Sequence, residues 1–322
     1  MQPEVVEAIG ALKDKGILGD PPASTLLRVA KRELVSVRFE LRALLYVGVL
    51  LVTTGVGLFV KENHDRIGPL AISAGIGLAA ALCFGYAVRR AAPFTWGRAP
   101  APGVAFDYVL LLGVLLFAAD LAYVEAQFRL LGPGWPYHLL LVSALYAAAA
   151  YRWDSAVVLG LALTSFAAWR GVSVNVLHGS LGPGRLAETR ANAVACGALF
   201  ALVGVLLSRG GKKAHFEDVY LHAGLLLLFG GLLSGVYARG LWGVWLLLLL
   251  AVAVAVAWAA FRGGRSLIFA EGVIAAYLGL LRALFELFRP LHSGPAFFLV
   301  VAASAAGVLG LVVAVHRRMR VR

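Results

Sequence analysis

The stretch Asp107–Gln127, DYVLLLGVLLFAADLAYVEAQ, decides the fold. At about 1.5 Å per residue a helix over it reaches about 30 Å, the thickness of a bilayer's hydrocarbon core. Between its polar ends, Asp107 and Gln127, it is long and apolar yet carries Asp120 near its middle and Glu125 near its far end. A charge at that depth costs roughly 2.5–3.5 kcal/mol on insertion scales, so it is expected to face other helices or enclosed water. At 100° per residue, Gly113, Phe117, Asp120, Tyr123 and Gln127 fall on one helical face. Glu125 points elsewhere, one turn before Arg129, and is placed to pair with it. Asp120 has no charged residue at i±3 or i±4. It therefore needs a partner on another helix, a water path or a proton.

Composition extends this reading to the whole chain. The 322 residues are 61% hydrophobic and 14% charged, where a soluble domain carries about a quarter charged residues. Mean hydropathy is +0.85. The fold class is therefore all-α integral membrane; a β-barrel would show short alternating strands, and this Leu-, Ala- and Gly-rich chain does not. Ten spans are expected, near 41–60, 67–88, 106–127, 135–151, 155–169, 191–207, 219–237, 241–261, 266–285 and 296–316. Residues 1–40 read as a short cytoplasmic amphipathic helical hairpin, with Gly16 as the stop of its first helix. Residues 41–316 form the transmembrane domain and 317–322 a basic cytoplasmic tail. No cleavable signal peptide is expected.

The formal net charge is +12. The basic residues sit at span ends, so anionic lipid headgroups explain them and nucleic acid is not expected as a partner. With the N-terminus inside, 20 of the 29 Lys and Arg fall on the inner side. That bias predicts both termini in the cytoplasm and an inner-membrane location. Aromatic residues such as Trp96, Tyr137, Trp153, Trp169 and Trp242 stand where an interfacial belt would place them. The spacings Gly75 to Ala79 and Gly231 to Gly235 predict close helix packing.

Several chemistries are not expected. Cys83 and Cys196 lie inside apolar spans and read as small hydrophobes. His64, His138, His178 and His292 map to the outer side without H-x3-H or HExxH spacing, so no metal is assigned. His215, His222 and His316 read as interfacial. The outer loop 170–190 contains GSLGPGR but lacks the Lys-Ser/Thr ending of a phosphate loop. No catalytic residues and no cofactor are assigned. In the ninth span Glu271 and Arg282 lie eleven positions apart on nearly one face, and Arg282 has Glu286 at i+4.

The helix ending in KGIL, the first span YVGVLLVTTGVGLFV, the following KENHDRIGP and the run LLLGVLLFAADLAYVEAQF together resemble a bacterial family catalogued as domain of unknown function 2157. The resemblance is fullest over the first 130 residues. That family tends to carry Asn-Trp-Asp after its first span, where this chain has Asn63-His64-Asp65. The resemblance implies a multi-pass membrane protein and supplies no catalytic residues. Transport of a small solute or ion ranks first, with proton coupling through Asp120. A sensor or assembly scaffold signalling through residues 1–40 ranks second, and an enzyme acting on lipid or envelope carbohydrate third. The candidate binding residues are Asp120, Tyr123, Gln127, Glu271 and Arg282.

Overall fold

The computed structural model describes residues 3–14, 16–19, 22, 24, 26–27, 38–99, 103–134, 136–171, 183–238, 240–287 and 295–321. Every regular element among them is a helix. The chain divides into two compact units, 1–68 and 69–322.

In the first unit, α1 (Pro3–Asp14) is followed by α2 (Arg38–Ile67). Gly16 takes φ 69, the left-handed turn a glycine enters without steric cost, and its N–H donates to the Lys13 carbonyl at 2.9 Å. Most of the second helix of the expected hairpin lies outside the described residues. Helix α2 carries the first span further than its apolar run, through Lys61 and Glu62 to Ile67, where a loop was expected. It stops only at Gly68, φ 83, before Pro69. Glycine after the last turn and proline opening the next helix are the chain's own punctuation there, stronger than the charges that precede it.

The second unit holds α3 (Pro69–Arg90), α4 (Val104–Phe128), α5 (Tyr137–Trp153), α6 (Ala156–Trp169), α7 (Pro183–Arg209), α8 (Glu217–Val236), α9 (Trp242–Arg262), α10 (Ser266–Leu287) and α11 (Pro295–Val321). Consecutive helices pair antiparallel: α3 with α4, α5 with α6, α7 with α8, α9 with α10. Helix α8 is the hub, packed on α6, α7, α9 and α10, and it is the most buried of the candidate spans. Phe229, Leu232, Leu249, Ala253, Ile268 and Ala275 belong to the apolar core that joins α8, α9 and α10. Helix α11 packs on α10, with Tyr277 donating to the Val301 carbonyl at 3.2 Å. It stays helical past residue 316 to Val321, so the expected basic tail continues the last helix.

Helices stand at all ten expected places, and eight are long and apolar enough to cross a bilayer. The two shorter ones are α5, with 17 residues, and α6, with 14. At about 1.5 Å per residue they reach about 25 and 21 Å, short of a core about 30 Å thick. The link between them is Asp154–Ser155, with Asp154 left-handed at φ 61 and Ser155 capping α6.

Small residues set how close the helices approach. A Cβ on Gly197 of α7 would stand 2.5 Å from the Leu228 nitrogen and 2.6 Å from the Gly224 carbonyl oxygen of α8. Gly204 meets Tyr220, and Gly231 meets Val194, along the same seam. Gly235, one turn beyond Gly231, instead lies under the Trp245 ring of α9. The expected packing role of Gly75 fails, because nothing lies within 4 Å of its Cβ position. Gly77 two residues on makes the close approach, against Asp120.

Candidate functional site

Asp120 lies on α4 against α3. Its Oδ2 stands 3.2 Å from the Cβ position of Gly77, so only a glycine leaves the carboxylate its present room. The same face of α4 continues this contact: Gly113 lies under Cys83, and Phe117 meets Phe84 edge-on at 6.5 Å. Asp120 Oδ1 is buried without a hydrogen-bond partner, and so is the Tyr123 hydroxyl one turn on. A buried polar atom without a partner costs about 1–3 kcal/mol, so both are groups with unmet bonding capacity inside the bundle. Gln127, further along that helix, is exposed.

Glu125 does not pair with Arg129. Its two oxygens accept the N–H groups of Leu131, at 2.9 Å, and Gly132, at 3.1 Å. Arg129 is left-handed, φ 49, and ends α4. The helix stops there, so the i+4 geometry that favoured the pair does not exist.

The other two candidates are on α10. Glu271 Oε1 lies 2.6 Å from His222 Nδ1 of α8, and its Oε2 is buried without a partner. His222, read from sequence as interfacial, is thus tied to the Glu271 carboxylate. Arg282 pairs with Glu286 one turn on, with its guanidinium 6.0 Å from the Trp242 ring. Helix α4 packs on α3, α5 and α6, while α10 packs on α8, α9 and α11. The five candidates therefore fall into two groups, Asp120, Tyr123 and Gln127 on one helix and Glu271 and Arg282 on the other. His178 and His292 lie outside the described residues, and the side chain of His64 is not described. Among the described residues no three His, Cys, Asp or Glu stand together as a metal site.

Sequence reasoning missed a polar node at one end of the bundle. Asp154 Oδ1 accepts from Lys213 Nζ at 3.0 Å and lies 2.5 Å from His215 Nε2. Its Oδ2 accepts the Ala99 N–H at 2.5 Å. The carboxylate has no proton to give, so the proton of that contact belongs to His215 Nε2. The Lys213 side chain is 1% exposed and that of Asp154 6% exposed. Lys213 also donates its backbone N–H to the Trp96 carbonyl at 2.7 Å, and Arg152 Nη1 donates to Ala92 at 3.2 Å. Three separate links, 91–99, 154–155 and 210–216, are held by one carboxylate. Burial works against ionisation of Asp154, but the Ala99 N–H, Lys213 and His215 outweigh it and hold the carboxyl below the ordinary aspartate value. The same end carries a second ion pair, Arg265 bidentate to Glu217 at 2.9 and 2.7 Å. Arg265 is held above its ordinary value, chiefly by those bonds.

No curated protein and no solved structure matches the chain. Residues 11–159 match the family model described as "Predicted membrane protein (DUF2157)", so the segment from the end of α1 into the start of α6 matches a membrane domain of unknown function.

Proposed function

We propose that this multi-pass membrane protein carries a small solute or ion across a bacterial inner membrane, and that Asp120 takes up and releases a proton in the cycle. One observation supports this above the others: Asp120 Oδ1 is buried in the middle of α4 with no partner, one turn from an equally unpartnered Tyr123 hydroxyl. A purely structural carboxylate would be saturated by its neighbours, because unmet bonding inside a membrane protein is costly. The His222–Glu271 contact supplies a second protonatable pair within the same unit. In this reading both termini are cytoplasmic. The end bearing Asp154, Arg262, Arg265 and the last turns of α11 faces the cytoplasm and its anionic headgroups.

Proton movement is the test, with a mixture of small solutes and ions supplied outside, because a coupled carrier moves its proton only with its cargo. Vesicles containing the purified chain and an internal pH dye receive a potassium diffusion potential. The native chain is expected to move protons at least about tenfold faster than empty vesicles. Asp120→Asn keeps the shape and the hydrogen-bonding capacity and should fall to the empty-vesicle rate. Native rates in both Asp120→Asn and Asp120→Leu would remove the proposal.

A further inference from the structure

We infer that α9, α10 and α11 form a binding site for one anionic phospholipid, with the phosphate among Arg262, Arg317 and Arg318 and an acyl chain in the crevice behind them. The first observation is a cavity of about 740 Å³ at the end of the bundle, lined by those three arginines with Phe261 and Met319. Among the described residues no acidic side chain lines it. The ends of α9 and α11 point carbonyl groups this way, which disfavours an anion by about half a charge per helix. Three guanidinium charges outweigh that. Arg262 is already fixed in place, its guanidinium 3.9 Å from the centre of the Trp258 ring. A guanidinium stacked on a ring still presents N–H donors at its edge, the geometry that binds phosphate oxygens in pairs.

The second observation is a separate crevice further along the same helices. Between the same three helices lies a crevice of about 220 Å³ with a wholly apolar lining. Ala253 and Ala257 of α9, Gly272, Ala276 and Tyr277 of α10, and Val308 of α11 form its walls. Ala257 is one turn from Phe261, about 6 Å along α9. Val308 is nine residues from Arg317, about 14 Å along α11. The crevice thus begins about one turn from Phe261 along α9 and lies further into the bundle than the arginine cluster. The small side chains of Ala257 and Ala276 leave it room, while Gly272 lets α10 sit close on α9, its Cβ position 3.0 Å from the Ala253 carbonyl oxygen. A free phosphate ion would satisfy the arginines but would leave the crevice without an occupant. A lipid with a phosphate and a hydrocarbon tail fits both, so the occupant assigned is a membrane phospholipid with net negative charge.

The inference rests on the reading that this end meets anionic headgroups, but narrows it from general attraction to one built site. It does not depend on Asp120. Native mass spectrometry of the full chain, released from detergent containing phosphatidylglycerol, phosphatidylcholine or glycerol phosphate, tests it. Phosphatidylglycerol should remain bound at one equivalent, at least about tenfold more tightly than the other two. The variant R262Q/R317Q/R318Q should lose that preference. Val308→Trp, which fills the crevice without touching charge, should weaken phosphatidylglycerol and leave glycerol phosphate unchanged. The control R89Q/R90Q removes two exposed arginines of α3 and should bind as the native chain does. Equal retention of the two phospholipids would overturn both the site and the general attraction. Equal loss in R89Q/R90Q and the triple variant would overturn the site alone. Glycerol phosphate binding as tightly as the lipid would overturn the role of the crevice, and the lipid with it.

Discussion

The residue that orders the described loops is Asp154, and its chemistry fixes how it responds to substitution and to pH. Removing one partner of a buried pair leaves the other charge uncompensated, at a cost of about 3–5 kcal/mol. Lys213 is 1% exposed, so Asp154→Ala should lower stability by about that amount in a detergent melt. The double variant Asp154→Ala with Lys213→Met should recover part of the loss, because no unpaired charge remains. The sign of the pH effect follows from the direction of the shift. The folded carboxyl lies below its unfolded value, so its stabilisation is complete above the unfolded value and disappears as pH falls through the folded one. Stability measured down that acid range should decline more steeply in the native chain than in Asp154→Asn; equal slopes would mean the node contributes nothing through ionisation. None of this was legible in the sequence. Arg152-Trp153-Asp154 reads as a polar turn, and the partners of Asp154 lie 59 and 61 residues further on. Pattern within one chain carries no pairing signal over that distance. Nothing local separates buried Lys213 from the exposed Lys212 beside it. Asp120 was legible for the opposite reason: its oddity is local, an acid in an apolar run.

At the scale of the element, hydrophobic runs made the helices readable, since a span announces itself by length and composition alone. Their ends were less so. Helix α2 overran its apolar stretch because Gly68-Pro69, not the charges before it, terminates it. Pairing was legible only as a tendency. Gly231 and Gly235 were expected to mark close helix packing, and they do so against two different neighbours, α7 and α9. The closest approach to another helix's backbone, among the described residues, is at Gly197, where an added methyl would meet atoms of α8 that have no rotamer to yield. Gly197→Ala should therefore destabilise by about 1–3 kcal/mol despite the better helix propensity of alanine. Gly230→Ala, with nothing within 4 Å of the new methyl, should be neutral or slightly stabilising. Thermal melts of the two variants side by side test the seam; similar melting points would show that α7 and α8 tolerate separation.

For the whole molecule, the distribution of Lys and Arg predicted an orientation, and the structure makes it measurable. The links 91–99, 154–155 and 210–216 meet at one end. In a background with Cys83 and Cys196 replaced by alanine, a cysteine at Ser208 should be labelled only from the cytoplasm, and one at Leu131 only from outside. Labelling of Ser208 in intact cells would reverse the topology. The hairpin pairing of α3 through α10 follows from alternation and short links, which a sequence shows; the hub position of α8 depends on side-chain fit between distant helices, which it does not. The node at Asp154 also has a consequence in time. Asp154 leaves the ribosome long before Lys213 and His215, and at about 5–20 residues per second the 59 residues to Lys213 take about 3–12 seconds to make. Through that interval the Asp154 carboxylate has the Ala99 N–H but neither of its cations. The α3–α6 assembly is therefore a waiting intermediate, closed by the arrival of a later segment, and a ribosome paused within residues 155–212 would leave it open to proteolysis at the 91–99 link.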